Sequence, residues 1–146
     1  VESSKNIGVI SQDANYTKCL FSIRSSVESL LLSQINELEQ VAGVLNSKVK
    51  VSGMYPGWEY SPVSPIRDLL VEVYKEIEKK EPAVSAIHAG LECGILKQKL
   101  GELDIVSLGP DIFNPHSPDE HVSVSSIDKA YALLVAVLEK ANKLPK

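Results

Sequence analysis

The chain has 146 residues, 44% of them hydrophobic, with a formal net charge of -4 and a pI near 5.4. That size suits one ordinary domain or two small ones, and the apolar content allows a buried core. An acidic chain without a Lys/Arg cluster argues against a nucleic-acid or anionic-membrane partner, and its apolar runs are too short to span a bilayer.

The chain begins at Val1, without a Met, in what reads as a strand, so a fragment of a longer protein is expected. Glu2 to Ser11 carries Ile7, Val9 and Ile10 and runs into the turn-rich cluster Gln12-Asp13-Ala14-Asn15. Tyr16 to Ser25 alternates, with Cys19, Phe21 and Ile23 on one face, and the two runs predict a β-hairpin. Arg24 falls at the end of the second strand on the other face. It is either a solvated strand-end residue or a bidentate grip for a carboxylate. Cys19 and Cys93 lie far apart with no C-x-x-C pattern, which fits reduced thiols in a cytoplasmic protein.

Ser25-Ser26-Val27-Glu28 fits a capping box. Val27, Leu30, Leu31, Ile35, Leu38, Val41, Ala42 and Leu45 then predict a long amphipathic helix. Lys48 to Met54 alternates as a further strand. The order β-β-α-β matches the last four elements of a split β-α-β-β-α-β sandwich, with one unpaired sheet edge. Tyr55 to Pro62, rich in Pro, Gly and aromatics, marks a boundary, giving portions 1–58 and 59–146.

In the second portion Ser64 caps a helix with Pro65 at its first position and Ile66, Leu69, Leu70, Val73, Tyr74 and Ile77 as the buried stripe. Val84 to Ile87 reads as a short strand, Ile95 to Leu100 as a short helix, and Asp104 to Leu108 as another strand. The closing helix, Ser125 to Lys143, carries Ile127, Tyr131, Leu134, Val135 and Leu138. This order predicts a parallel α/β layer, so the class is α/β overall: an α+β portion followed by an α-β-α-β-α portion. The loops His88–Gly94 and Asn114–His121 then open on one sheet edge, where such folds place ligands. Gly90 allows close backbone approach, and Glu92 is a ligand, a base or a first-turn helix residue that suits the macrodipole. His116 stands in the restricted Asn114-Pro115-His116-Ser117-Pro118 segment, followed by Asp119, Glu120 and His121. It is a candidate metal ligand, and a mixed-charge surface loop is the alternative.

Ala86-Ile87-His88-Ala89-Gly90-Leu91-Glu92-Cys93-Gly94, Ser107-Leu108-Gly109-Pro110 and Pro115-His116-Ser117-Pro118-Asp119-Glu120 closely resemble the carboxyl-terminal part of aminoacyl-histidine dipeptidases. These are carnosine-cleaving members of the dinuclear zinc peptidase and aminoacylase superfamily. Phe21-Ser22-Ile23-Arg24-Ser25-Ser26 resembles the strand end of the same family's lid. The resemblance covers essentially the whole chain. It implies that residues 1–58 are part of a ferredoxin-like lid and dimerisation domain and 59–146 part of a catalytic domain. It implies His116 as a zinc ligand that also borders the substrate, Arg24 as the grip on a dipeptide's carboxylate, and Gly90 as backbone lining of the substrate pocket.

The family's H-x-D segment, its other ligands and its paired glutamates are absent from this sequence. The resemblance therefore implies no catalytic residue here, two zinc ions bound only in a longer parent, and an inactive fragment. The implied partners are a dipeptide and a second copy through the lid, without nucleic acid or membrane. Two other readings remain: a non-catalytic lid-type interaction module, or a hydrolase of N-acyl amino acids.

Overall fold

The computed structural model describes residues 1–89, 92–101 and 103–142. Its elements run β1 (Ser3–Gln12), β2 (Thr17–Ser25), α1 (Glu28–Val44), α2 (Pro65–Glu78), α3 (Glu92–Leu100), β3 (Ile112–Phe113), β4 (His121–Val122) and α4 (Val124–Ala141). Helix and strand mix, as the α/β class requires. The chain divides into two units, Val1–Tyr60 with Ser85–Glu102, and Ser61–Val84 with Leu103–Lys146.

The first unit is built on the expected hairpin. At its turn one Asp13 carboxylate oxygen accepts from the Asn15 and Tyr16 amides at 2.7 and 3.0 Å. Those two donors hold the Asp13 acid below the usual aspartate range. The antiparallel register runs from Ser3↔Ser25 to Gln12↔Thr17, with an irregularity between Ile7 and Val9 that leaves Gly8 as the extra residue of a bulge. Before the bulge, Ser3, Lys5, Phe21, Ile23 and Ser25 share one face, and Ser4, Asn6, Ser22 and Arg24 share the other.

Helix α1 covers the first of these faces. Leu31, Ile35, Leu38 and Ala42 turn toward the hairpin and are half-buried, as are Phe21 and Ile23. Gln34 donates to the Ser3 hydroxyl, and Lys5 pairs with Glu37. Leu30, Val41 and Leu45, also placed in the stripe by periodicity, are exposed.

The capping box does not form. Val27 is the N-cap and makes no side-chain cap bond. Ser25 and Ser26 are instead buried, and both hydroxyls donate to the Glu2 carbonyl, at 3.1 and 3.4 Å. Tying the chain start to the strand end takes the serines that local pattern assigns to the helix.

The strand expected over 48–54 has no ladder, so residues 1–58 run β-β-α and not β-β-α-β. Val49 and Val51, its inward positions, are both exposed. Alternation creates a strand only where a neighbour accepts its hydrogen bonds.

Segment 85–102 joins the first unit through glycines. Gly94 is buried in α3, and a Cβ there would lie 2.6 Å from the Pro56 carbonyl oxygen. A Cβ on Gly57 would in turn lie 2.4 Å from the Ser26 carbonyl oxygen. Three stretches distant in sequence thus meet backbone to backbone.

In the second unit α2 starts as expected: Ser64 is the N-cap, its hydroxyl accepts from the Arg67 amide at 3.2 Å, and Pro65 follows. Asp104 reinforces this end, accepting from the Ser64 hydroxyl at 2.6 Å and the Ile66 amide at 2.9 Å. Helices α2 and α4 pack together around Leu70, Val73 and Val137, with Ile66, Leu69, Val106, Leu133 and Ala136 against them. Lys140 of α4 pairs with Glu76 of α2 at 2.6 Å.

Three expectations fail here. The runs 84–87 and 104–108 form no ladder, so no parallel sheet exists among the described residues. Helix α4 buries Ser126 and Val137 and half-buries Ala130 and Leu133, while Ile127, Tyr131, Leu134, Val135 and Leu138 are exposed. Its apolar residues surround the helix, so periodicity alone does not select a face. Finally, the buried hydrophobic core among the described residues is only Leu70, Val73 and Val137. The apolar content instead lies largely on exposed faces, including Ile7, Val9, Ile10 and Leu20 of the hairpin.

Candidate functional site

Two groups of candidate residues stand in separate units. In the first unit Arg24 lies directly across the ladder from Ser4, on the hairpin face that α1 leaves uncovered. Residues so paired have neighbouring side chains. The guanidinium is exposed and makes no ion pair or hydrogen bond among the described residues. The Ser4 hydroxyl lies 2.9 Å from His88 Nε2, with the donor set by the imidazole tautomer. Arg24, Ser4 and His88 therefore gather at one end of the hairpin. Gly90, two positions beyond His88, lies outside the described residues. Glu92 opens α3 as an acidic first-turn residue, the position that suits the helix dipole.

In the second unit the short ladder Ile112↔Val122 and Phe113↔His121 closes the loop that bears His116. The loop is fixed from within. Ser117 Oγ donates to the Asn114 carbonyl at 2.7 Å, the Glu120 amide donates to the Ser117 carbonyl at 3.1 Å, and the Asp119 amide donates to Ser117 Oγ at 3.2 Å. Asn114 and His116 both take left-handed backbone, at φ 50° and 64°. The His116 amide donates to a Glu120 carboxylate oxygen at 2.6 Å, which holds the histidine in that conformation. His121 stacks on Phe113 at 5.2 Å, and its Nδ1 meets the Asp119 carbonyl at 2.7 Å. The Asp111 amide donates to Ser126 Oγ at 2.9 Å, anchoring the loop base to the start of α4.

The His116 ring is exposed and makes no hydrogen bond among the described residues. A left-handed histidine in a braced loop presents a free imidazole at a defined place. Yet no group of three or more His, Cys, Asp or Glu that could hold a metal ion occurs among the described residues. His116 can supply one donor, and the donor set seen here does not complete a metal centre. A cleft of about 370 Å³ between α2, α4 and residues 107–111 is lined by residues such as Tyr74, Lys80, Leu108 and Lys129, and none of Arg24, His88 or His116 borders it. No helix among the described residues is long and apolar enough to cross a membrane.

Sequence reasoning singled out Arg24 and His116 but missed Ser4 and left His88 without a role. The signal for Ser4 was its register opposite Arg24, which the alternation of the two strands contains only once the turn is fixed.

Residues 4–140 match the model of peptidase family M20/M25/M40. The chain is 38% identical over 143 residues to the cytosol non-specific dipeptidase of Escherichia coli (strain K12), covering 96% of this chain and 29% of that protein. The crystal structure of aminoacylhistidine dipeptidase from Vibrio alginolyticus superposes with a TM-score of 0.85 at 37% identity, over 100% of this chain and 29% of that one. The chain thus spans under a third of the length of these relatives.

Proposed function

The chain belongs to peptidase family M20/M25/M40, and from that membership we propose that it is the carboxyl-terminal part of a cytoplasmic, zinc-dependent dipeptidase acting on Xaa-His-type dipeptides. The observation that carries the reading is similarity along 96% of the chain to a dipeptidase, at 38% identity. In this reading residues 1–58 belong to a lid and dimerisation domain and residues 59–146 to the catalytic domain. The exposed apolar residues of the hairpin and α4 are then faces covered by the rest of the protein or by a second copy.

Arg24, whose guanidinium makes no ion pair or hydrogen bond among the described residues, binds the substrate carboxylate through a bidentate charged hydrogen bond. The Gly90 backbone is assigned to the lining of the substrate pocket. His116 offers one imidazole nitrogen as a metal ligand next to the substrate, and its Glu120-held backbone keeps the ring in place. The remaining donors and the general base come from residues outside this chain. The chemistry that two bound zinc ions supply is a water acidified enough to attack a peptide carbonyl. Alone, the chain hydrolyses nothing.

The test uses the full-length protein. It is expected to hydrolyse Xaa-His dipeptides and to carry zinc, with the isolated chain inactive. His116→Ala is expected to lower zinc occupancy and turnover together. A full-length protein that cleaves no dipeptide, or a His116→Ala variant with native zinc content, overturns the reading.

A further inference from the structure

His116 combines an exposed ring with left-handed backbone at φ 64°. A residue with a Cβ resists that conformation, so a specific contact must offset its cost. Among the described residues His116 makes one hydrogen bond, from its amide to a Glu120 carboxylate oxygen at 2.6 Å. Position 120 is itself well fixed. The Glu120 amide donates to the Ser117 carbonyl at 3.1 Å, and the next residue, His121, pairs with Phe113 in the β3–β4 ladder. The carboxylate thus reaches back to the histidine from the anchored end of the loop. The neighbouring acid is placed differently. Asp119 enters the loop through its amide and carbonyl, and its carboxylate makes no hydrogen bond or ion pair among the described residues. Of the two acids, Glu120 is the one that acts on the histidine backbone.

We propose that Glu120 is a positioning residue: by accepting the His116 amide, its carboxylate sets the left-handed backbone before a metal ion arrives and so aims the imidazole as a ready-made ligand. The inference rests on the reading of His116 as a metal ligand. It gives Glu120 no place among the ligands and no proton to carry. What the site needs at position 120 is an acceptor within reach of one amide, and a charged acceptor makes the stronger bond. Without that bond the imidazole is chemically intact, but the backbone of His116 relaxes and the ring must be re-aimed at the expense of metal binding.

The test uses the full-length enzyme, with zinc affinity read by competition against a chelator of known affinity. Glu120→Ala is expected to weaken zinc binding about ten- to a hundredfold, the usual effect of removing a group that orients a ligand. Glu120→Gln keeps a carbonyl oxygen at the same reach and should lose less than about tenfold. Glu120→Asp keeps the charge but ends one methylene short, and should lose more than Glu120→Gln. Adding Glu120→Ala to His116→Ala should cost no further affinity, because Glu120 acts through the histidine. A second readout needs no metal: in the metal-free enzyme the His116 amide should exchange its hydrogen more slowly with Glu or Gln at position 120 than with Asp or Ala. The Gln and Asp variants keep the question answerable if Glu120→Ala fails to fold. Native zinc affinity in Glu120→Ala, a Gln variant no better than Asp or Ala, a further loss in the double variant, or a His116 amide that exchanges equally fast in all of them overturns the proposal. If His116→Ala lowers zinc affinity while Glu120→Ala does not, the histidine stands as a ligand and only the positioning role falls. If His116→Ala keeps native zinc affinity, both fall.

Discussion

Replacing Gly94 with Ala in the full-length protein would set a methyl group 2.6 Å from the Pro56 carbonyl oxygen and 3.2 Å from that of Gly57. Ordinary contact begins near 3.4 Å, so the two backbones must part by about 0.8 Å, the kind of backbone shift that overpacking forces. Neither partner is a side chain that can swing away. Gly57 is itself held against the Ser26 carbonyl, where a Cβ would approach to 2.4 Å. Overpacking costs roughly 1–3 kcal/mol, and alanine returns about 1 kcal/mol over glycine in a helix. The net loss should therefore be about 0–2 kcal/mol, and about 1–3 kcal/mol relative to a helical Gly→Ala change that meets no neighbour, concentrated where α3 meets residues 56 and 57. Hydrogen exchange of the α3 amides, read beside a denaturant titration, measures it. Gly43→Ala in α1 is the control, because no atom lies within 4 Å of its Cβ position, and it should be neutral or stabilising by up to about 1 kcal/mol. Matching stabilities for the two variants would refute the claim that Gly94 is required by close backbone approach.

Arg24→Met in the full-length enzyme removes a charged hydrogen bond worth roughly 1.5–3 kcal/mol, which is about one to two decades in kcat/KM for a free-carboxylate dipeptide. Zinc content should be unchanged, and amidating the substrate should cost the variant almost nothing more. Asp104→Ala removes the acceptor for the Ser64 hydroxyl and the Ile66 amide at the start of α2, which should destabilise by about 1–2 kcal/mol in denaturant titration. Asp13 has its folded-state acid lowered by the Asn15 and Tyr16 amides, so its contribution is present above the unfolded pKa and disappears as pH falls through the folded one. Asp13→Asn should flatten that acid-side dependence, and an NMR titration should place the native Asp13 below the usual aspartate range.

The elements read most securely were those specified by neighbouring residues. Ser64 and Pro65 start α2 because a hydroxyl cap and a missing amide donor suit the same helix end, and both are local facts. The hairpin was likewise contained in the Asp13 turn and the alternation on either side. Lys48–Met54 and Asp104–Leu108 carry strand-like patterns but no ladder, and alternation cannot report whether an edge is available. Val106 shows the other use of such a run, packing against the α2–α4 core. The face of α4 was misread because large residues were taken to mark the core. The α4 residues packed in the core with α2 are Leu133, Ala136 and Val137, and two of these three are smaller than leucine.

Candidate residues were legible in proportion to how locally they are held. The two prolines beside His116 announce a restricted loop, and the ladder, the left-handed backbone and the Glu120 carboxylate supply the restriction. Arg24 was visible because a lone arginine at a strand end, across from an apolar face, invites a question about its partner. Ser4 and His88 were not, since nothing within ten residues of either points to the other. Their meeting depends on parity: the bulge at Gly8 lies beyond the Ser3–Ile7 stretch, so Ser4 keeps its register with Arg24. A one-residue slip would turn Ser4 toward α1 and leave His88 facing a different side chain. What decides the geometry around Arg24 is thus the hairpin register, and Gly8 matters by taking the extra residue at a distance from it.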